Sequence, residues 1–205
     1  MEELTSIKQI PVGPMQNFAY LLMDERTRQA IEIDSGWETN PIVEAAERER
    51  MDVRYAVATH GHFDHVKTLR KLADQLGAKL VAHEASRLEA DTLVKGGDEL
   101  SIGETRVRVI YTPGHTEDSI CLYDGKNLFT GDTLFIGNCG RTDLPGGSAE
   151  KLYHSLHDTI LSLPPETVVY PGHDYGDVPF RDLGDERRTN PTLMARSLAE
   201  FLGVE

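Results

Sequence analysis

Three short apolar runs open the chain, LTSIKQI, NFAYLLM and QAIEID. Pro11, Gly13 and Pro14 separate the first pair and the charged stretch DERTR the second, a pattern that predicts a meander of β-strands. After Gly36 the signals change. In NPIVEAAERERM, Asn40 as N-cap, Pro41 at the first helical position and glutamates in the opening turns predict a helix. VRYAVAT predicts a strand that ends abruptly at HGHFDH, and VKTLRKLADQLG a helix that stops at Gly77. The histidine-rich segment is thereby placed in a loop between strand and helix. AKLVAH, TRVRVIYT, SICLYD, NLFTGD and TVVYPGH read as further strands, and SAEKLYHSLHDTILSL and NPTLMARSLAEFL as helices. Alternating strands and helices indicate the α/β class, in which sites collect on loops beyond strand ends.

Composition narrows this picture. A chain of 205 residues with 39% hydrophobic content buries roughly 70% of its unfolded surface, enough for one core. With no repeat or linker, residues 1–205 are expected to form a single domain. The formal net charge of −13 disfavours a nucleic-acid partner, which requires clustered Lys and Arg. No apolar run approaches the roughly 20 residues of a membrane span, and MEELTSIKQI is acidic where an export signal is basic. No membrane partner is therefore expected, the location should be cytoplasmic, and Cys121 and Cys139 should be reduced. Cys121, in SICLY, is expected in the core, and Cys139 near the motifs.

Four potential ligands fall within six residues at His60, His62, Asp64 and His65. One histidine is weak evidence, but three around an aspartate point to metal coordination. His115 in TPGH, Asp132 in FTGD and His173 in YPGH each follow a predicted strand, where Pro and Gly make the turns that could bring a side chain to a shared centre. Taken singly, each could instead cap a turn or bond a backbone carbonyl. His83, His154 and His157 fit no such pattern and are expected at the surface or in helix packing.

THGHFDH followed by His115, Asp132 and His173 resembles the metallo-β-lactamase superfamily, in its order and across most of the chain. The resemblance implies an αββα sandwich, two facing mixed β-sheets flanked by helices, with metal at one edge. It implies that His60, His62 and His115 hold a first divalent ion, that Asp64, His65 and His173 hold a second, and that Asp132 bridges them. Zinc is the expected ion, and imidazole and carboxylate suit iron or manganese equally. Two divalent ions, the catalytic carboxylates Asp64 and Asp132, and a bridging hydroxide leave about one net positive charge, and such ions lower the pKa of water to near 7. No GxSxG segment supplies a side-chain nucleophile.

Within the superfamily, His62 stands where flavodiiron proteins usually carry Glu, and His65 with Asp132 departs from the classical β-lactamases. RNA-processing members share the loop but need a basic arm. FTGDTLFIGNCGRTDLPGG with VVYPGHDYG is similar to the glyoxalase II and persulfide dioxygenase branch. That likeness implies a small thiol-derived substrate, contacted by Arg141 and Tyr175, although Arg141 could instead pair with Asp143 and Tyr175 could simply pack. Thr142, Asp143 and Leu144 replace glyoxalase II's aromatic pair, and that family's helical carboxy-terminal domain is not expected here, so glutathione as carrier is not implied. The expected function is two-metal thioester hydrolysis, because Asp64 would need its own cation or other hydrogen bonds. The alternative is a persulfide dioxygenase with a single Fe(II) held by two His and one Asp. A non-catalytic metal-binding protein is the third reading.

Overall fold

In the computed structural model, which describes residues 5–204, the opening runs form β1 (Thr5–Val12), β2 (Asn17–Asp24) and β3 (Gln29–Ile33), paired antiparallel in sequence order. Leu4 of the first run and the acidic residues of the amino terminus lie outside the described residues. Parallel pairing follows, from β3 to β4 (Asp52–Val57), β5 (Lys79–His83) and β6 (Thr92–Val94). Parallel neighbours require crossover connections. Helix α1 (Asn40–Arg48) supplies one, and the short α2 (Phe63–Val66) with α3 (Leu69–Leu76) the next.

A second six-stranded sheet comprises β7 (Glu99–Ile102), β8 (Thr105–Tyr111), β9 (Ile120–Tyr123), β10 (Asn127–Gly131), and, beyond the small hairpin β11 (Leu134–Phe135) and β12 (Asn138–Cys139), β13 (Val168–Pro171) and β14 (Arg181–Asp182). Its spatial order is β14-β13-β10-β9-β8-β7, with only β10 and β13 parallel.

The two sheets face each other. Tyr20, Leu22, Ile31, Ile33 and Val57 of one sheet pack with Val107, Val109, Ile120, Leu122 and Phe129 of the other. Alternate residues serve the outer layers, since side chains of a strand point to opposite faces. Leu21, Ala30 and Val53 meet Ile42 and Ala45 of α1 and Leu72 of α3. Cys121, Leu128 and Val169 meet Leu152 of α4 (Ala149–His154) with Leu156 and Ile160 beyond it. This αββα arrangement explains why all eight residues of β2 are buried, as expected for a strand covered on both faces. Cys121 is a core thiol, its pKa raised by burial to about 11.

Three boundaries differ from expectation. Thr39, not Asn40, precedes α1, because its carbonyl already accepts the Val43 N–H at 2.9 Å and the first turn closes one residue earlier. The helix from Ser148 runs as α4 only to His154, then widens into a π-helical turn (Ser155–Thr159) and tightens into a 3₁₀ turn (Ile160–Ser162). After α5 (Leu183–Thr189), the expected last helix breaks into α6 (Pro191–Met194) and α7 (Leu198–Phe201). The Ser197 hydroxyl accepts the Glu200 N–H there, starting a new helix rather than continuing the old one. Among the described residues no helix is long and apolar enough to cross a membrane.

Candidate metal centre

Strand ends deliver the candidate residues to one edge of the sandwich. β4 leads to Thr59 and His60, β8 to His115, β10 to Asp132 and β13 to His173. Asp64 and His65 lie not in open loop, as expected, but in the single turn of α2. The Phe18 N–H donates to Gly172 O at 2.9 Å and the Ile120 N–H to Thr59 O at 2.8 Å, tying the sheets together beside the site. Two glycines permit the approach. Gly131 has φ +49°, and a Cβ there would sit 2.3 Å from Thr59 Oγ1. At Gly172 a Cβ would meet Asp132 Oδ1 at 2.5 Å.

All seven predicted ligands converge. His60, His62 and His115 form one group, Asp64, His65 and His173 another, and His60, His65 and Asp132 a third; within each, the donor atoms lie within 4.8 Å of one another. Asp132 joins the two sides, with His65 Nε2 3.2 Å from Oδ1 and His115 and His173 Nε2 at 3.5 and 3.3 Å from Oδ2. Although His65 is within ion-pair reach, buried Asp132 Oδ1 has no hydrogen-bond partner among the described residues.

Outer hydrogen bonds fix the imidazole tautomers. His115 Nδ1 donates to Arg141 O at 2.7 Å, His173 Nδ1 to Met15 O at 2.9 Å and His65 Nδ1 to Asp34 Oδ2 at 3.0 Å. Thr59 Oγ1 gives its proton to Asp34 Oδ2 at 2.6 Å, so at 3.1 Å it accepts from His60 Nδ1. In each neutral ring the remaining Nε2 therefore turns a lone pair inward. His60 Nε2 and His115 Nε2 stand 3.1 and 2.9 Å from His62 Nδ1, and His65 and His173 Nε2 3.2 Å apart. Nitrogens about 2.0–2.1 Å from a tetrahedral ion would lie about 3.3 Å apart. Inward lone pairs at nearly that spacing, beside an orphaned carboxylate oxygen, fit a bound cation, with the outer donors orienting the ligands.

Among the protein groups alone, His60 and His62 on one side of the centre and His65 and His173 on the other shift in opposite directions. Burial, reinforced by His65, holds the His60 pKa well below the usual value, and burial with His115 lowers His62. Burial also acts against charge on His65 and His173, but Asp132, joined at His65 by Asp34, outweighs it and raises both. Burial would raise Asp132, yet His65 and His173 hold it well below the carboxylate range.

Sequence reasoning missed the supports. Asp34 accepts from the Thr59 N–H and hydroxyl as well as from His65. Asn17 Nδ2 donates to Asp64 Oδ2 at 3.0 Å, while Asn17 Oδ1 accepts from Trp37 Nε1 at 2.8 Å. Asp34, like Asp132, is the last residue of a predicted strand run, and that position could have flagged it. Asn17 carried no comparable signal.

A cavity of about 780 Å³ opens on the centre, walled by Phe63, Phe135, Ile136, Leu144 and Tyr175. Cys139 and Arg141 also line it. The Arg141 guanidinium is paired with Asp143, Nε to Oδ1 and Nη2 to Oδ2 both at 2.6 Å. Tyr175 stacks on His173 at 4.6 Å. Of the remaining histidines, His83 departs from expectation. It is buried and stacks on Tyr111 at 4.3 Å, with burial lowering its pKa. His154 is exposed beside Asp158, and His157 packs on Tyr153 and bonds Thr192 O.

The family model described as the metallo-beta-lactamase superfamily matches residues 12–173. The bovine (Bos taurus) protein named persulfide dioxygenase ETHE1, mitochondrial, is 37% identical over 197 residues, covering 91% of this chain and 75% of the relative. The crystal structure of ETHE1 from Myxococcus xanthus superposes with a TM-score of 0.92 at 34% identity, covering 97% of this chain and 89% of that one. The structure of TTHA1623 in a di-iron-bound form has a TM-score of 0.77 at 31% identity, covering 91% of this chain and 100% of that one.

Proposed function

Since this chain belongs to the metallo-β-lactamase superfamily, we propose that it is a persulfide dioxygenase that oxidises the persulfide of a small thiol with a single Fe(II). The likeness to named persulfide dioxygenases, 36–37% identity across 91% of the chain, carries this reading. It displaces the two-metal thioesterase expected from sequence. That expectation leaned on Asp64 requiring its own cation, and Asn17 Nδ2 supplies the hydrogen bond that meets the same need.

Asp132, which both sides of the centre approach, and two of the imidazoles around it would hold the iron, with the Nδ1 bonds to Arg141 O, Met15 O, Asp34 and Thr59 keeping the rings in place. Bound iron supplies the one-electron chemistry that dioxygen requires. Asp34 holds a proton on His65 Nδ1. Phe135, Ile136 and Leu144 give the cavity an apolar wall that limits water around a reactive sulfur.

The complete second cluster of Asp64, His65 and His173 favours, as a second reading, a two-metal hydrolase acting on S-lactoylglutathione or a related thioester. Iron-loaded protein should consume oxygen with glutathione persulfide at about one iron per chain and leave thioesters intact. Thioester cleavage at about two metals per chain, without oxygen uptake, would reverse the order of the two readings.

A further inference from the structure

A second cavity, of about 400 Å³, lies next to the main one, and His62 and Pro145 line both. Gly61, Arg87, Thr116, Glu117 and Asp118 belong to its wall. Its charges differ in how far they are already committed. Glu117 is engaged by Lys151 Nζ at 2.6 Å and by the Tyr111 hydroxyl at 3.2 Å. Asp118, 9% exposed, accepts the Thr116 hydroxyl on Oδ1 at 2.7 Å, while its Oδ2 faces Gly61. A Cβ on Gly61 would lie 3.0 Å from Asp118 Oδ2 and 3.8 Å from Ser86 Oγ. The turn carrying Arg87 and the Asp118 carboxylate therefore meet at the same point of the HGH segment. Arg87 makes no hydrogen bond or ion pair among the described residues. Arg141, the cation of the main cavity, already has two of its nitrogens committed to Asp143.

A cavity beside the metal ligand His62 thus offers one uncommitted guanidinium and one carboxylate oxygen. We propose that it is the subsite for the α-amino-acid group of the thiol carrier, with the carrier's carboxylate on Arg87 and its ammonium on Asp118. Guanidinium and carboxylate form a two-point hydrogen-bonded pair, and Asp118 supplies the opposite charge that a zwitterion, but not a simple anion, can use. The assignment rests on the persulfide dioxygenase reading and adds to it the two residues, Arg87 and Asp118, that would select the carrier.

Oxygen uptake tests it, comparing glutathione persulfide, which has the amino-acid group, with 2-mercaptoethanol persulfide, which does not. Relative to wild type, R87A should raise KM for glutathione persulfide by about fivefold more than for the mercaptoethanol compound, the upper size of an ion pair made by an exposed side chain. R87K should recover part of the loss, and D118N should shift the same ratio. Equal KM changes for both substrates, or a larger selective effect of R141A than of R87A, would overturn the assignment. Calorimetric binding of S-methylglutathione, which cannot form a persulfide, separates this inference from the activity. Binding weakened in folded R87E supports the subsite even if no persulfide is oxidised, and unchanged binding removes it.

Discussion

The Asn17 side-chain amide donates to Asp64 Oδ2 at 3.0 Å, and the Trp37 indole N–H holds that amide by its carbonyl at 2.8 Å. A buried carboxylate is thereby stabilised by a neutral donor from the first hairpin. Asn17→Ala should leave Asp64 short of a donor and cost about 1–3 kcal/mol. Urea unfolding checks this, and an unchanged midpoint would show that the contact contributes nothing.

Asp34 lies outside the predicted ligand set yet accepts from His65 and Thr59. Asp34→Asn should weaken metal affinity by about 10–100-fold, as is typical when the outer partner of a metal-bound histidine is lost. Competition with a chromophoric chelator measures the change, and affinity equal to wild type would contradict the supporting role.

Gly131 is required by space as well as by its φ of +49°, since a Cβ would lie 2.3 Å from Thr59 Oγ1. Gly131→Ala must push apart β10 and the turn that carries His60. A loss of about 1–3 kcal/mol is expected from the backbone strain, together with weaker metal binding. Thermal denaturation and metal titration of the variant provide the test.

Glu32, in the middle of β3, is fully buried, and neither carboxylate oxygen is hydrogen-bonded among the described residues. Burial, then the charge of Asp34, raises its pKa well above the usual 4.5. The folded protein therefore keeps a proton that the unfolded chain releases above that value, so this group's contribution to stability falls as pH rises. The slope reaches about 1.4 kcal/mol per pH unit until the folded group itself ionises. Glu32→Gln should remove this slope. Urea midpoints between pH 5 and 8 that run parallel for the two proteins would refute it.

The positions of the elements were largely readable, because strand and helix periodicities are local properties of apolar patterning. Gly77, with φ +66°, ends α3 as its position implied. The breaks at His154 and Ala195 were not readable, because a π turn and a serine cap compete with continued helix by amounts that packing decides. The glycines before His115, Asp132 and His173 were visible as turn formers, whereas their need for close backbone approach at Gly131 and Gly172 appears only once the sheets face each other.

By itself the sequence determined the α/β order, the family and the seven candidate ligands, because residue type and spacing along a strand–loop–helix unit encode them. Only the tertiary structure decided that Asp34 and Asn17 support His65 and Asp64, that Asp143 occupies Arg141, and that Arg87, beside His62, has no partner among the described residues. Those relationships join residues far apart in the chain, and hydrogen bonds between them exist only after two sheets have packed face to face.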